Sequence, residues 1–424
     1  MEKIVSLAKR RGFVFPGSEI YGGLAGFYDF GPLGVELKFN IKQEWWRRFV
    51  IQREDMFGIA SSILMHRKVW ETSGHVQSFI DPMVDCRACK SRFRADKVDT
   101  TAACPVCGAN DFTEVRPFNT MFRTYVGPTE DTAAETFLRP ETAQGMFVNF
   151  KNILDTMHPK LPFGLAQIGK AFRNEITPGN FIFRTREFEQ MEIEYFIRPE
   201  GWEDVFGYWL KEMHAWLEFL EIRGVSDREV PSKDRAHYSC RTVDLDYDFP
   251  FGREELFGLA YRTEFDLKNH AAASGVPLEY YDETKRERFT PHVIEPTFGV
   301  ERTVLALLVS AYHEEDERIL LKLHPRLAPY KVAVFPLLAN KTELVEKARE
   351  IFGSLKSRFA AAWDDRGNIG KRYYAQDEIG TPWCVTVDFQ TLEDGTVTVR
   401  DRDSTHQERV AAADLAAYVQ EKLG

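Results

Sequence analysis

No run of about 18 apolar residues occurs anywhere in the chain, which excludes a membrane-spanning helix. The first eleven residues, Met1 to Arg11, are basic but lack an apolar segment followed by a small-residue cleavage site. The expectation is a soluble, cytoplasmic protein with no membrane partner. Positive charge is short as well. Fifty-five Lys and Arg stand against 65 Asp and Glu, a net charge of -10, so bulk attraction to polyanions is excluded and any nucleic acid must be met by local basic patches. Neither a P-loop nor a Ser/His/Asp array is apparent. Cysteine is scarce, six in 424 residues, yet four fall in two C-x-x-C pairs, Cys86/Cys89 and Cys104/Cys107, with Cys240 and Cys384 standing alone. That pattern points to a reducing compartment and one metal site.

A chain of 424 residues that is 44% hydrophobic exceeds what one core holds, so two or three domains are expected. From Val35 to Ile51, Leu37, Phe39, Ile41, Trp45, Trp46 and Phe49 recur at helical steps behind Gly31-Pro32, which predicts a long helix. Residues Phe57 to Met65 read as a strand, and residues 85–112 as a cysteine-bearing insertion. Strands Leu165 to Phe172 and Glu187 to Phe196 form a hairpin across a loop holding Pro178, Gly179 and Asn180. A helix from Gly201 to Arg223, strand-like runs at His237 to Tyr247 and Leu256 to Leu267, and a helix from about Val300 to His313 complete an antiparallel α+β pattern. Two prolines between Leu323 and Tyr330 place a domain boundary near Ala328. Beyond it, VAVFP, a helix over Thr342 to Phe359, a strand near Tyr373, the strands CVTVDF and TVTVRD around Glu393-Asp394-Gly395, and a final helix suggest a small α/β domain.

Alternation along the second hairpin strand puts Phe188, Gln190, Glu192 and Glu194 on one face and Met191, Ile193 and Tyr195 on the other. A face of Phe, Gln and Glu is not an ordinary core face, because unpaired buried carboxylates are costly. It reads instead as the floor of a polar site. Arg173 and Arg184 suit bidentate contact with phosphate oxygens, and Phe188 offers a plane for a purine, which together describe a nucleotide site. The competing reading is a solvent-facing strand whose charges pair with one another.

These segments carry a resemblance. Phe172-Arg173-Asn174-Glu175 with the FRTREFEQMEIEYF strand resembles motif 2 of class II aminoacyl-tRNA synthetases in the form typical of the dimeric glycyl-tRNA synthetase family, and Gly299-Val300-Glu301-Arg302 resembles motif 3. Pro32 and its helix resemble motif 1, which in the family joins two protomers. RPETAQ (139–144), AHYS (236–239), RTEFDL (262–267) and VIEPTFGVERT (293–303) are similar to further family segments in collinear order. The resemblance implies a class II antiparallel catalytic domain over 1–328, with the 85–112 insertion, and an anticodon-binding domain over 329–424. It implies ATP-dependent attachment of glycine to tRNA(Gly) by a homodimer.

By the same resemblance, Arg173 and Arg302 are the catalytic cations. The ATP site draws on Arg173, Asn174, Glu175, Phe183, Arg184, Thr185, Arg186, Glu187, Phe188, Glu255, Leu256, Gly299, Val300, Glu301 and Arg302. The amino-acid site draws on Arg94, Glu141, Phe188, Glu189, Gln190, Met191, Glu192, Glu295, Pro296, Thr297, Phe298 and Gly299. Glu141, Glu192 and Glu295 would surround the substrate ammonium, and Thr297 stands where the family usually has Ser. Glu255 is the candidate Mg²⁺ ligand, since hard cations take carboxylate oxygen. The Cys86-x2-Cys89-x14-Cys104-x2-Cys107 spacing resembles a zinc ribbon whose four thiolates leave no open position, so a bound Zn²⁺ would be structural. Lys371, Arg372 and Arg400 are the expected RNA contacts in the last domain. The alternatives are a class II synthetase for another amino acid and a non-catalytic synthetase-like accessory protein, which would be expected to lose the motif arginines.

Overall fold

A computed structural model describes residues 1–131, 134–315 and 318–424. Its centre is a seven-stranded sheet built from β1 (Met56–Gly58), β2 (Phe163–Phe172), β3 (Glu187–Ile197), β4 (Val225–Glu229), β5 (Arg241–Phe249), β6 (Gly252–Thr263) and β7 (His292–Gly299). The order is β4-β5-β6-β7-β3-β2-β1, antiparallel throughout except for β1 beside β2.

The two faces of this sheet have different chemistry. Behind it pack α1 (Pro32–Trp46), α3 (Trp202–Phe219) and α5 (Val300–Ala311), whose Leu37, Ile41, Trp45, Trp209, Trp216, Leu305 and Leu308 bury against Met191, Ile193 and Phe298. Helix α1 starts with Pro at its first position, where the missing N–H costs nothing. It lies so close to the preceding chain that a Cβ on Gly34 would sit 1.9 Å from the Phe13 carbonyl oxygen. In front lie α2 (Ala143–Val148) and α4 (Phe265–Ser274), with Phe147, Phe150 and Leu267 closing one end of the sheet over a smaller apolar cluster.

After the Leu323–Tyr330 segment comes a five-stranded sheet of β8 (Val332–Pro336), β9 (Ala361–Trp363), β10 (Trp383–Val387), β11 (Thr396–Asp401) and β12 (Gln407–Ala411), in the order β9-β8-β10-β11-β12. Helices α6 (Thr342–Lys356) and α8 (Leu415–Leu423) cover one face through Leu344, Ile351, Leu355, Leu415 and Val419. Helix α7 (Ile369–Asp377) covers the other, beside buried Cys384. The connecting segment is not slack: Asn40 Nδ2 donates to the carbonyls of Leu327 (3.1 Å) and Ala328 (3.0 Å), and Arg326 pairs with Glu44 at 2.6 Å, all on α1.

Several element expectations differ from the structure. The strand expected near Tyr373 is α7, capped by Asn368, whose side chain accepts from the Lys371 N–H at 2.9 Å. The Phe57 to Met65 strand is only Met56–Gly58, because β1 finds a partner for three residues and the chain then leaves the sheet edge. The helix predicted over 35–51 ends as a π-helical turn over Arg47–Ile51, and α5 gives way at Tyr312 to a short strand. Among the described residues no helix is long and apolar enough to cross a membrane.

Candidate active site

Register fixes the floor. Glu192 on β3 lies opposite Thr297 on β7 and Gln167 on β2, so the Phe188, Gln190, Glu192, Glu194 row faces the front together with Glu295 and Thr297. Above it is a cavity of about 400 Å³ whose lining runs from Arg173, Arg184 and Arg302 at one end to Glu141, Glu192 and Glu295 at the other.

At the cationic end, Arg173 donates through Nε to the Pro140 carbonyl at 3.0 Å and holds its guanidinium 5.4 Å from the Phe188 ring centre. Arg302, in the first turn of α5, lies 4.5 Å over Phe183, donates to the Glu255 carbonyl at 2.8 Å and meets the Glu255 carboxylate at 3.2 Å. Burial would raise the Glu255 carboxyl, but Arg302 and then Arg173 outweigh it and hold it below its ordinary value. Nearby Asp244, across the strand pair from Gly258, is pushed up to about 7 by burial and by repulsion from Glu255, against the pull of Arg228.

The other end is dense with charge. Arg262, fully buried, forms a fork onto Asp266 (2.8 and 3.0 Å), donates to Glu295 at 2.6 Å, stands 3.8 Å from Glu141 and lies 3.6 Å over the Tyr238 ring. Glu141 meets His75 Nε2 at 3.0 Å and accepts from Gln144 at 3.2 Å. Glu192 accepts from the hydroxyls of Thr142 and Thr297, the latter at 3.1 Å. The Thr297 hydroxyl thus does work a Ser would do.

Five carboxyls, Glu141, Glu192, Glu194, Glu295 and Asp266, therefore crowd around the buried Arg262 guanidinium, with His75 beside Glu141 and buried Arg139 acting on Glu192 from a distance. An uncompensated buried carboxylate costs several kcal/mol, so they cannot all be ionised unless another cation enters. The directions agree. His75 and then Arg262 hold Glu141 low against burial. Burial and Glu141 push Glu192 up, and burial with repulsion from Glu192 and Glu141 pushes Glu295 far up despite Arg262. A small cation seated among these groups would relieve the imbalance.

Not every expected residue lines the cavity. Glu189 is on the back of β3, paired with Lys38 at 2.6 Å and Lys42 at 3.0 Å. Met191, Phe298 and Val300 are core, and Pro296 alternates out of the lining. Glu301 borders the cavity and ties α5 to its neighbours, accepting from Lys38 at 2.7 Å and from the Glu189 N–H at 2.8 Å. Arg186 spends its donors on the carbonyls of Glu175 and Ala25, holding the motif loop in place, while Asn174 bonds through its backbone to Thr120 and Glu187 meets Lys170. Arg94 sits in the insertion, paired with Asp81 at 3.0 Å and Asp96 at 2.9 Å, outside the lining. The sequence reading gave no role to Arg262, Asp266, His75, Gln144 or Tyr238. The i, i+4 spacing of Arg262 and Asp266 was the available signal.

The four cysteines converge. Sγ of Cys86 is 3.7 Å from that of Cys107, Sγ of Cys89 is 3.8 Å from that of Cys104, and all four lie within 4.8 Å of one another. A tetrahedron of sulfurs about 2.3 Å from zinc has edges of about 3.8 Å, so the donor set fits that ion. The two pairs sit on matching turns. In each, the residue after the second Cys is left-handed (Lys90, φ 62°; Gly108, φ 75°) and its N–H returns to the first Cys carbonyl, at 2.9 and 2.8 Å.

In the second sheet, two expected RNA contacts are structural. Arg372 is buried, donating to the carbonyls of Pro336, Asp365, Arg366 and Gly367. Arg400 is buried and bidentate on Asp377 at 2.8 and 3.0 Å. Lys371 is exposed.

An antiparallel sheet whose hairpin and following helix hold two arginines over aromatic planes, with no P-loop, defines a class II tRNA synthetase core. Residues 125–311 match the family described as tRNA synthetase class II core domain (G, H, P, S and T), and residues 331–422 match the anticodon binding domain family. The glycine–tRNA ligase of Caldanaerobacter subterraneus subsp. tengcongensis is 51% identical over 456 residues, covering all of this chain and 98% of its own. That of Alkaliphilus metalliredigens is 50% identical over 457 residues with the same coverage, and that of Borrelia garinii subsp. bavariensis is 51% identical over 434, covering 97% of its own length. The chain belongs to the glycine–tRNA ligase family.

Proposed function

We propose that the protein attaches glycine to tRNA(Gly) in two steps, first joining the glycine carboxylate to the α-phosphate of ATP with release of pyrophosphate, then passing the glycyl group to the terminal adenosine of the tRNA. The observation that carries this reading is the under-neutralised carboxylate cluster at one end of a cavity whose other end is cationic and aromatic. Glu141, Glu192 and Glu295 receive the ammonium, and a site with no side-chain pocket excludes larger amino acids by clash. Arg173 neutralises the α-phosphate as charge develops on it, Arg302 serves the γ-phosphate, and Phe188 supplies a plane for adenine. Catalysis is positioning plus charge neutralisation, with no protein nucleophile.

Glu255, with Asp244 beside it, offers the oxygen donors that Mg²⁺ prefers, and the ion when bound would screen pyrophosphate charge. The four thiolates hold a structural Zn²⁺, which predicts about one zinc per chain by elemental analysis. Residues 1–328 form the catalytic unit and 329–424 the anticodon-binding unit, in a cytoplasmic homodimer built around α1. The decisive experiment is exchange of labelled pyrophosphate into ATP with each of the twenty amino acids offered separately. Exchange with glycine alone is expected. Exchange with another amino acid would overturn the glycine assignment, and no exchange from folded, zinc-loaded protein would favour a non-catalytic binding role.

A further inference from the structure

One buried acid in the cluster has no task in the mechanism above. Glu194 is fully buried on β3, and among the described residues none donates to either of its carboxyl oxygens. One oxygen of each of Glu192, Glu194 and Glu295 lies within 4.8 Å of the others.

The strand of Glu194 itself presents Glu192; β7 presents Glu295; Arg262 ends β6 and is already engaged by Asp266 and Glu295; α4 presents Asp266; and β2 presents apolar Leu165 in register. Farther out, Glu141 is satisfied by His75 and Gln144. A carboxylate here would face three acceptors, Glu192, Glu295 and Asp266, beside an apolar wall at Leu165, with the already engaged Arg262 as the one cation and the Gln167 amide of β2 making no bond to it, whereas a carboxylic acid has a hydrogen to give.

We propose that Glu194 is a positioning residue carried as the neutral acid, which donates its hydrogen to Glu295 and leaves Glu141, Glu192 and Glu295 to meet the glycine ammonium. Asp266 then offsets Arg262, and Glu194 adds no further negative charge to the three acids that face the ammonium. Burial together with repulsion from Glu295 lies on the same side, lifting the Glu194 carboxyl far above its ordinary range.

The inference rests on the glycine reading of the cavity, so its test includes a readout independent of activity. In infrared difference spectra of wild type against Glu194→Gln at pH 8, the wild type should show the carbonyl stretch of a protonated carboxylic acid that the variant lacks. The amide also donates, so the variant should keep its KM for glycine in pyrophosphate exchange within about threefold, while Glu194→Leu, which fits the space without a donor, should raise that KM about tenfold with a smaller change in kcat. No such band in wild type, or a KM raised tenfold or more by Glu194→Gln, would overturn the proposal. Should the Gln variant not fold, the same difference spectrum of wild type against Glu194→Leu at pH 8 decides the question, absence of the band overturning the proposal. Failure of glycine to drive exchange in the wild type would strike the function and not the protonation.

Discussion

Each of the two sheets buries arginine against acid, and the two clusters differ in balance. Beneath the five-stranded sheet, Asp377 is met by Arg400 and by Arg318 at 3.0 Å, and Arg402 donates to the Gly380 carbonyl at 2.8 Å. There the buried acid has arginine partners, and the remaining buried arginines are met by backbone carbonyls or by Asp403. On the front of the seven-stranded sheet, five carboxyls crowd around Arg262, and among the described residues none donates to Glu194. A balanced buried network is architecture, whereas an unbalanced one is an invitation to a ligand that carries the missing sign.

The contrast can be put under strain directly. Replacing Arg262 by Met strands Asp266 and Glu295 together, so exchange should fall about a thousandfold and the catalytic domain lose about 3–5 kcal/mol, measured by pyrophosphate exchange and urea unfolding. Arg400→Met leaves Asp377 short of its main partner and should cost a similar 3–5 kcal/mol with no change in glycine-dependent exchange below the unfolding temperature. Equal activity losses in both variants would erase the distinction. Glu192→Gln removes one charged contact to the ammonium, worth about 1.5–3 kcal/mol, so KM for glycine should rise about 10- to 100-fold with stability unharmed. The smallest effect concerns pH. The Glu194 carboxyl is raised in the folded state, so the folded protein holds a proton that the unfolded chain has lost above the ordinary glutamate range; the stability this gives relative to an ionised acid declines as pH climbs through the folded value. Thermal unfolding should therefore show the wild type losing ground to Glu194→Gln as pH rises, and a constant gap would contradict it.

Much of the unbalanced cluster could be read in the chain, because β-strand alternation puts Glu192 and Glu194 on one face and the apolar residues on the other without any knowledge of partners. Arg372 and Arg400 could not be read the same way. Their neutralising groups are an aspartate and carbonyls brought in from other elements, which leave no local pattern, so an arginine destined for the interior looks like one on the surface. The same limit hid His75 and the contacts of Arg262 with Glu295 and of Gln144 with Asp266, whose partners lie far away in sequence, although Arg262 and Asp266 stand only four apart. At Tyr373, two adjacent tyrosines suggested a strand, but the Asn368 cap and the burial of Arg372 and Gln376 four apart settle a helix.

The grip of α1 on Leu327 and Ala328 bears on how freely the two sheets can move against each other. With Asn40 clasping two carbonyls, Arg326 locked to Glu44, and Arg10 and Arg11 both on Glu378, the joint between the two sheets is fastened at separate points. The molecule thus resembles a hinge that has been pinned: swinging one sheet away from the other would break several contacts at once, each on a different element.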